Sequence, residues 1–382
     1  MTSIMRPSVE RRILSLLDLP TPRVPVLLGG CGSGRTALLA EIHRHVGDYR
    51  CQYVDLERAA TTPERFHRAV CLDSPFVAPD VTLATASPRA ALDATLAFLT
   101  GARTADGGPA TFLLDEVLEF RTFESFPGLR HVMHDVLAAF GSSANRFVLT
   151  TRFVARGLRW LRDAGPSLEA IQMPPLDVAE IRDGLAAPDW PAGDLEDTAR
   201  TVHALTDGHQ AYAQILLQAM ARSRRPDEAD PVAALAALLE PDGALARRLL
   251  WSYELRLHRA RGYGALKAIL AILSEEEPLT LTEIAHRLQR TPGSTKDYLS
   301  WLEDVDLVRV SRKRYTFADP MLRLWVRIHC RPSPPPEDEI AREVRQYALA
   351  RLPLPAEPVM AMASVHAAAD EDRKTWGIIE ID

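Results

Sequence analysis

The 382-residue chain predicts an α/β fold: a parallel sheet flanked by helices, then a helical segment, then a compact helix-and-hairpin unit. Three observations predict it. Between residues 24 and 175, short β-branched or leucine-rich runs alternate with longer stretches of helical period. From 177 to about 258 the chain is Ala- and Leu-rich with helical spacing, interrupted at Pro188, Pro191, Gly208, Pro226 and Pro241. From 264 to 330, helical stretches lead into a short hairpin pattern.

Taken in order, the strand runs are 24–28, 51–56, 111–115, 146–151 and, more weakly patterned, 168–173. They make a core domain over residues 1–175, and residues 176–260 read as a helical lid. Residues 261–330 have the order of a winged helix-turn-helix. A first helix spans 281–289, with Thr280 or Thr282 as its cap and Ile284, Ala285 and Leu288 on its buried face. A turn at 290–293 precedes a second helix, 294–305, with Tyr298, Leu299, Trp301 and Leu302 available for packing. A hairpin of 307–310 against 315–317 carries a basic tip at 311–314; Asp319 then caps and Pro320 opens a helix over 321–329. Residues 331–382 begin with RPSPPPEDE, a proline-rich linker that cannot continue a helix, followed by a helix at 339–352 and an acidic tail ending WGIIEID.

Hydrophobic residues make up 47% and charged residues 25%, which excludes a wholly disordered or collagen-like chain. The net charge of −6 argues against a general nucleic-acid or membrane coat while leaving room for a local basic patch. Only four of the 45 basic residues are lysine (Lys267, Lys296, Lys313 and Lys374), and a coding bias toward arginine explains this. The four cysteines, Cys31, Cys51, Cys71 and Cys330, are far apart and form no C-x-x-C pair, so neither a disulfide framework nor a zinc cage is expected and a reducing cytoplasm fits. No signal peptide or membrane span is expected. His43 with His45, and His131 with His134, lack the spacing or the third ligand of a metal site.

The strongest chemical signal is VPVLLGGCGSGRTALL at 24–39, an apolar strand running through a glycine-rich loop into a helix. Gly29, four residues, Gly34, Arg35 and Thr36 match the P-loop pattern G-x-x-x-x-G-K-[ST], with Arg in place of Lys. Such glycines let backbone N–H groups turn inward around phosphate oxygens, and the helix N-terminus adds donors and partial positive charge. Gly29, Gly30, Cys31, Gly32, Ser33, Gly34, Arg35, Thr36 and Ala37 are therefore the expected ATP or ADP contacts. Thr36 is expected on Mg²⁺, and Arg35 reaching the β and γ phosphates. Cys31 inside this loop is also a candidate redox-sensitive thiol.

TFLLDE at 111–116 is an apolar strand ending in two acids, the Walker B pattern: Asp115 would hold the metal through water and Glu116 would polarise the attacking water. RFVLTTR at 146–152 places Thr150, Thr151 and Arg152 at the next strand end, where one of them can sense a γ-phosphate. Arg35 keeps the charge of the usual lysine but presents a planar fork on a longer stem. Two readings follow: a slow ATPase adapted to Arg35, and a non-hydrolysing nucleotide-dependent DNA-binding regulator.

In the C-terminal unit, Arg290, Ser294, Thr295 and Lys296 are candidates for a DNA groove, and Arg312, Lys313 and Arg314 for the DNA backbone. Glu303, Asp304 and Asp306 make the footprint mixed, so a DNA or protein partner is expected through this unit, and a packing and regulatory module is the alternative to DNA contact.

With these motifs in place, the chain resembles the prokaryotic AAA-type P-loop ATPases of the STAND and archaeal-ATPase kind, relatives of the Orc/Cdc6 initiators. The resemblance covers roughly residues 5 to 330 and rests on 29–36, 113–116, 150–152 and the run Tyr315, Phe317, Asp319, Pro320, Leu322, Arg323 and Trp325. It implies a P-loop NTPase core with strand order 5-1-4-3-2, a helical lid, a winged helix, and a molecular switch or remodelling role. The group's lysine is replaced by Arg35, and residues 206–220 hold no clear sensor-2 arginine. Arg130 and Arg146 are candidate trans-acting fingers if the protein forms a head-to-tail homo-oligomer.

Overall fold

A computed structural model describes residues 4–19, 21, 23–72, 74–77, 87–162, 167–185, 195–222, 230–258, 260–331, 333 and 335–352. Pro188, Pro191, Pro226 and the WGIIEID tail lie outside the described residues.

In the core, α1 (Pro7–Leu17), β1 (Val24–Leu28), α2 (Arg35–Val46), β2 (Cys51–Asp55), α3 (Leu56–Ala59), α4 (Pro63–Cys71), α5 (Pro88–Gly101), β3 (Thr111–Asp115), a 3-10 stretch (Val117–Ser125), α6 (Val132–Gly141), β4 (Arg146–Thr151), α7 (Val154–Leu161) and β5 (Leu168–Gln172) follow one another. All five strands are parallel in the order β2-β3-β4-β1-β5, which is the expected 5-1-4-3-2. Strand alternation divides the apolar side chains between two layers. Val26, Leu28, Phe112, Leu114, Phe147 and Leu149 face a phenylalanine-rich cluster that includes Phe66, Phe120 and Phe123. Leu27, Leu113 and Val148 face α1 and α2 through Ile13, Leu38, Leu39 and Ile42. The second strand stops one residue earlier than its apolar run because Asp55 turns to cap α3, accepting the Arg58 N–H at 3.3 Å.

The remaining chain forms α8 (Val178–Leu185), α9 (Leu195–Thr206), α10 (Gln210–Ala221), α11 (Pro231–Leu238), α12 (Ala244–Leu257), α13 (Tyr263–Glu275), β6 (Leu279–Thr280), α14 (Leu281–Leu288), α15 (Pro292–Asp304), β7 (Val308–Ser311), β8 (Arg314–Phe317), α16 (Pro320–His329) and α17 (Glu337–Leu349). Its strands form an antiparallel sheet, β6-β8-β7. The β7–β8 turn is Arg312–Lys313, both at positive φ (50° and 64°), the backbone of a hairpin turn with right-handed twist, achieved without glycine. Proline-rich composition becomes helix starts: Thr62-Pro63, Ser87-Pro88, Asp230-Pro231, Thr291-Pro292 and Asp319-Pro320 each pair a capping side chain with a first-turn proline. The second helix of the C-terminal unit therefore begins at Pro292, two residues before its expected start.

One continuous apolar core runs through α8–α17, including Leu216, Leu249, Ile269, Leu302, Trp325 and Val344. Helix α17 folds back onto it, and the Tyr347 hydroxyl donates to the Leu205 carbonyl at 3.0 Å. Among the described residues no helix is long and apolar enough to cross a membrane.

Candidate nucleotide site

The strand order puts β4 between β1 and β3, so the carboxyl ends of these three strands gather Gly29–Thr36, Asp115–Glu116 and Thr150–Arg152 at one edge of the sheet. The loop turns because Gly32 and Gly34 take φ of +85° and +93°, a region that a side chain disfavours. Gly34 in that conformation is also the N-cap of α2, which aims the helix N-terminus into the loop.

Asp115 is the centre of a hydroxyl cluster. Its carboxylate accepts from the Thr36 hydroxyl at 3.0 Å, from the Tyr53 hydroxyl at 3.0 Å and from the Thr150 hydroxyl. Thr36 remains exposed, and Thr150 also accepts the Glu116 N–H at 3.2 Å. Burial and the adjacent Asp115 push the Tyr53 hydroxyl well above its ordinary pKa, so it stays a donor. Thr151 points away: its hydroxyl accepts the Phe153 N–H at 3.2 Å and its carbonyl accepts the Gly29 N–H at 3.3 Å.

Glu116, 7% exposed and at φ +63°, lies between two guanidinium groups. Arg35, also 7% exposed, donates Nη2 to Oε1 at 2.8 Å. Arg152 donates its backbone N–H to Oε2 at 3.0 Å, holds Nε 3.1 Å from Oε1, and extends its guanidinium to Glu57. Burial alone would weaken the Arg152 charge, but Glu116 and Glu57 outweigh it and raise its pKa. Arg35, expected on the phosphates, thus reaches sideways to Glu116. Its Nε and Nη1 and the Ser33 hydroxyl are buried with no partner among the described residues. Of the proposed finger residues, Arg146 begins β4, at the opposite edge from the loop, and pairs with Asp18 at 3.1 Å, while Arg130 is exposed.

Several residues that sequence spacing does not single out complete the site. The start of α10 sits on the loop: His209 Nε2 lies 3.0 Å from the Cys31 carbonyl, and the Ala211 N–H donates to Gly32 O at 3.1 Å. Gln210 accepts from Arg6 Nε at 3.0 Å and donates to Ile4 O at 3.2 Å. Arg256 on α12 donates to the Asp306 carbonyl at 3.1 Å. A cavity of about 360 Å³ opens here, lined by Arg6, Gly30, Cys31, Ser33, Pro174, His209, Arg256, Asp306 and Asp319 among others. The signal for Arg256 is its place on the apolar face of α12, in series with Leu249 and Ser252–Tyr253.

His209 yields a prediction. Its ring is half-buried and stacked on Tyr212, its buried Nδ1 has no partner among the described residues, and desolvation lowers its pKa from 6.5. The neutral ring therefore stabilises the fold above 6.5, and that contribution is lost as pH falls below it, because only the unfolded chain accepts the proton readily. His67 and His329, also lowered by burial, act with the same sign. Melting temperature is expected to drop on acidification from about pH 7 to about pH 5, with a shallower slope in His209→Gln. Identical slopes would count against the contact.

No protein-family model matches the chain, and no curated protein matches it. Among solved structures, the Walker-type ATPase PABY2304 of Pyrococcus abyssi matches at TM-score 0.62 and 16% identity, over 85% of this chain and 96% of that one. The Aeropyrum pernix Orc1 protein, solved in complex with DNA, matches at TM-score 0.44 and 18% identity, over 84% and 91%. A Thermotoga maritima RuvB variant matches at 0.40 and 13%, over 83% and 94%. The likeness to PABY2304 and the five-stranded parallel sheet in 5-1-4-3-2 order show that the chain shares its fold with a Walker-type P-loop ATPase.

Proposed function

We propose that the protein is an ATP-binding molecular switch of the AAA/STAND type that hydrolyses ATP slowly and couples its nucleotide state to a partner through a C-terminal winged helix. The observation that carries this reading is the Thr36–Asp115–Thr150 cluster at the mouth of a glycine loop whose Ser33 hydroxyl and Arg35 Nε and Nη1 have no acceptor among the described residues. Unfilled buried donors at a helix N-terminus suit a polyanion. Thr36 and Asp115 would hold Mg²⁺, which when bound supplies charge to the phosphate oxygens. Glu116 would orient water and Arg152 would sense the γ-phosphate, but Glu116 must first exchange a guanidinium contact for that water, which makes turnover slow.

The output is the winged unit. The Asp306 carboxylate accepts the N–H groups of Val154 (2.6 Å) and Ala155 (3.0 Å), so the unit caps the helix that follows Arg152. Its wing tip, Arg312 to Arg314, is exposed. Salt-dependent retention on duplex DNA that disappears on neutralising Arg312, Lys313 and Arg314 distinguishes a nucleic-acid partner from a protein one.

Titration calorimetry is the test. Wild type is expected to bind ATP and ADP more tightly with Mg²⁺ than without, and Asp115→Asn is expected to lose the Mg²⁺ dependence. No binding at about 1 mM nucleotide removes the reading.

A further inference from the structure

Away from the glycine loop, α12, α13 and α16 leave a cavity of about 600 Å³ between them. It has no lining residue in common with the cavity beside Gly30–Ser33. Leu250 and Tyr253 come from α12, Ala268 and Ala271 from α13, and Trp325 and His329 from α16. The alanines on this face of α13 hold open a space that leucines would fill, while Leu266, Ile269 and Leu270 pack the buried face of the same helix. On the α16 side the wall is aromatic. The Trp325 ring lies 5.3 Å from that of Tyr253 and 5.5 Å from that of His329.

Tyr253 is 1% exposed. Its hydroxyl finds no nitrogen or oxygen partner among the described residues; the Cys330 thiol stands beside it, and sulfur is a weak acceptor. Burial pushes the pKa of this hydroxyl far above its ordinary value, so it keeps its proton as a donor. A buried donor with a poor acceptor costs free energy that a carbonyl oxygen in the cavity would recover. The charges at the rim already have counter-charges: Lys267 Nζ lies 3.0 Å from Glu254 Oε1, and Arg331 pairs with Glu339 and Glu343. His329 Nε2 lies 2.8 Å from the Leu239 carbonyl, and burial lowers the pKa of the ring, which is neutral at pH 7. Such walls fit a ligand with no net charge, a flat apolar body and one well-placed acceptor oxygen.

We propose that this cavity is a second binding site of the protein, for an uncharged planar compound of the lactam or cyclic-amide class, whose carbonyl oxygen accepts from Tyr253 while its ring packs against Trp325. The inference does not depend on the nucleotide reading above.

Oxindole and indole are the probes, since oxindole adds a lactam carbonyl to nearly the same ring system. Binding to the full chain is followed by saturation-transfer NMR and by the rate at which iodoacetamide alkylates Cys330, read by peptide mass spectrometry. Cys330 is exposed, whereas Cys31 and Cys51 are buried, so the label reports on the cavity rim. Wild type is expected to bind oxindole with a Kd of about 1 mM or tighter, about fivefold more tightly than indole, and Cys330 alkylation is expected to slow as oxindole is added. Tyr253→Phe keeps the ring and should bind the two probes equally. Ala268→Leu, at a half-buried position, narrows the cavity and should weaken both; if Tyr253→Phe does not fold, this variant and the wild-type preference decide. Oxindole that fails to bind wild type at about 10 mM, binds no better than indole, keeps its advantage in Tyr253→Phe or is indifferent to Ala268→Leu overturns the proposal.

Discussion

Glu116→Gln is expected to reduce ATP turnover by about a hundredfold or more and to lower stability by about 3 kcal/mol, two effects with separate causes. The first follows from removing the carboxylate proposed above to orient water. The second follows from leaving Arg35 and Arg152 buried with one negative charge fewer between them, since Glu57 reaches only Arg152. Nucleotide affinity should move the other way, because Arg35 is released toward the loop. Phosphate release at saturating Mg-ATP and urea unfolding check the first two. A variant as stable as wild type would mean that the arginine–glutamate cluster does not hold in solution.

Asp306→Ala is expected to detach the C-terminal unit from the core. Helix α7 has no cap of its own: the residue before it is Phe153, whose side chain makes no capping bond, so two N–H groups depend on a carboxylate 151 and 152 residues away. Losing a cap costs about 1–2 kcal/mol, and here the same contact docks a domain. Arg159–Asp304, and Arg156 stacked 5.1 Å from both Phe153 and Trp301, remain as weaker ties. Hydrogen exchange at Val154 and Ala155 should accelerate sharply in the variant, with Asp306→Asn intermediate because it keeps one acceptor oxygen. Exchange at wild-type rates would disprove the latch.

What could be read from the sequence was what chain proximity creates. Glycine spacing after an apolar strand marked the loop, and strand-end acids and threonines marked Asp115, Glu116 and Thr150, because parallel strands bring their carboxyl ends to one edge whatever their order in the chain. The order itself came from resemblance. Arg6, His209, Gln210, Arg256 and Asp306 reach the site only through tertiary packing, and nothing in their local sequence says so, apart from a charged residue on an apolar helix face at 256. The direction of Arg35 was equally hidden. Spacing specifies that a long cation stands at position 35, but which acceptor it meets depends on the positive-φ turn that aims Glu116 at it. Short elements were missed for a related reason: β6 has two residues and exists only because β8 pairs with it.

The single apolar core shared by α8–α17 has a mechanical consequence. The sheet domain keeps two clusters of its own and joins that core through Ile4 and Phe153; the other contacts between it and the rest of the chain include hydrogen bonds, ion pairs and a guanidinium stack. Polar ties can be exchanged for water with little net change in free energy, whereas splitting a packed core cannot. Exchanging those ties along the glycine loop is therefore expected to cost less than separating any of α8–α17 from one another.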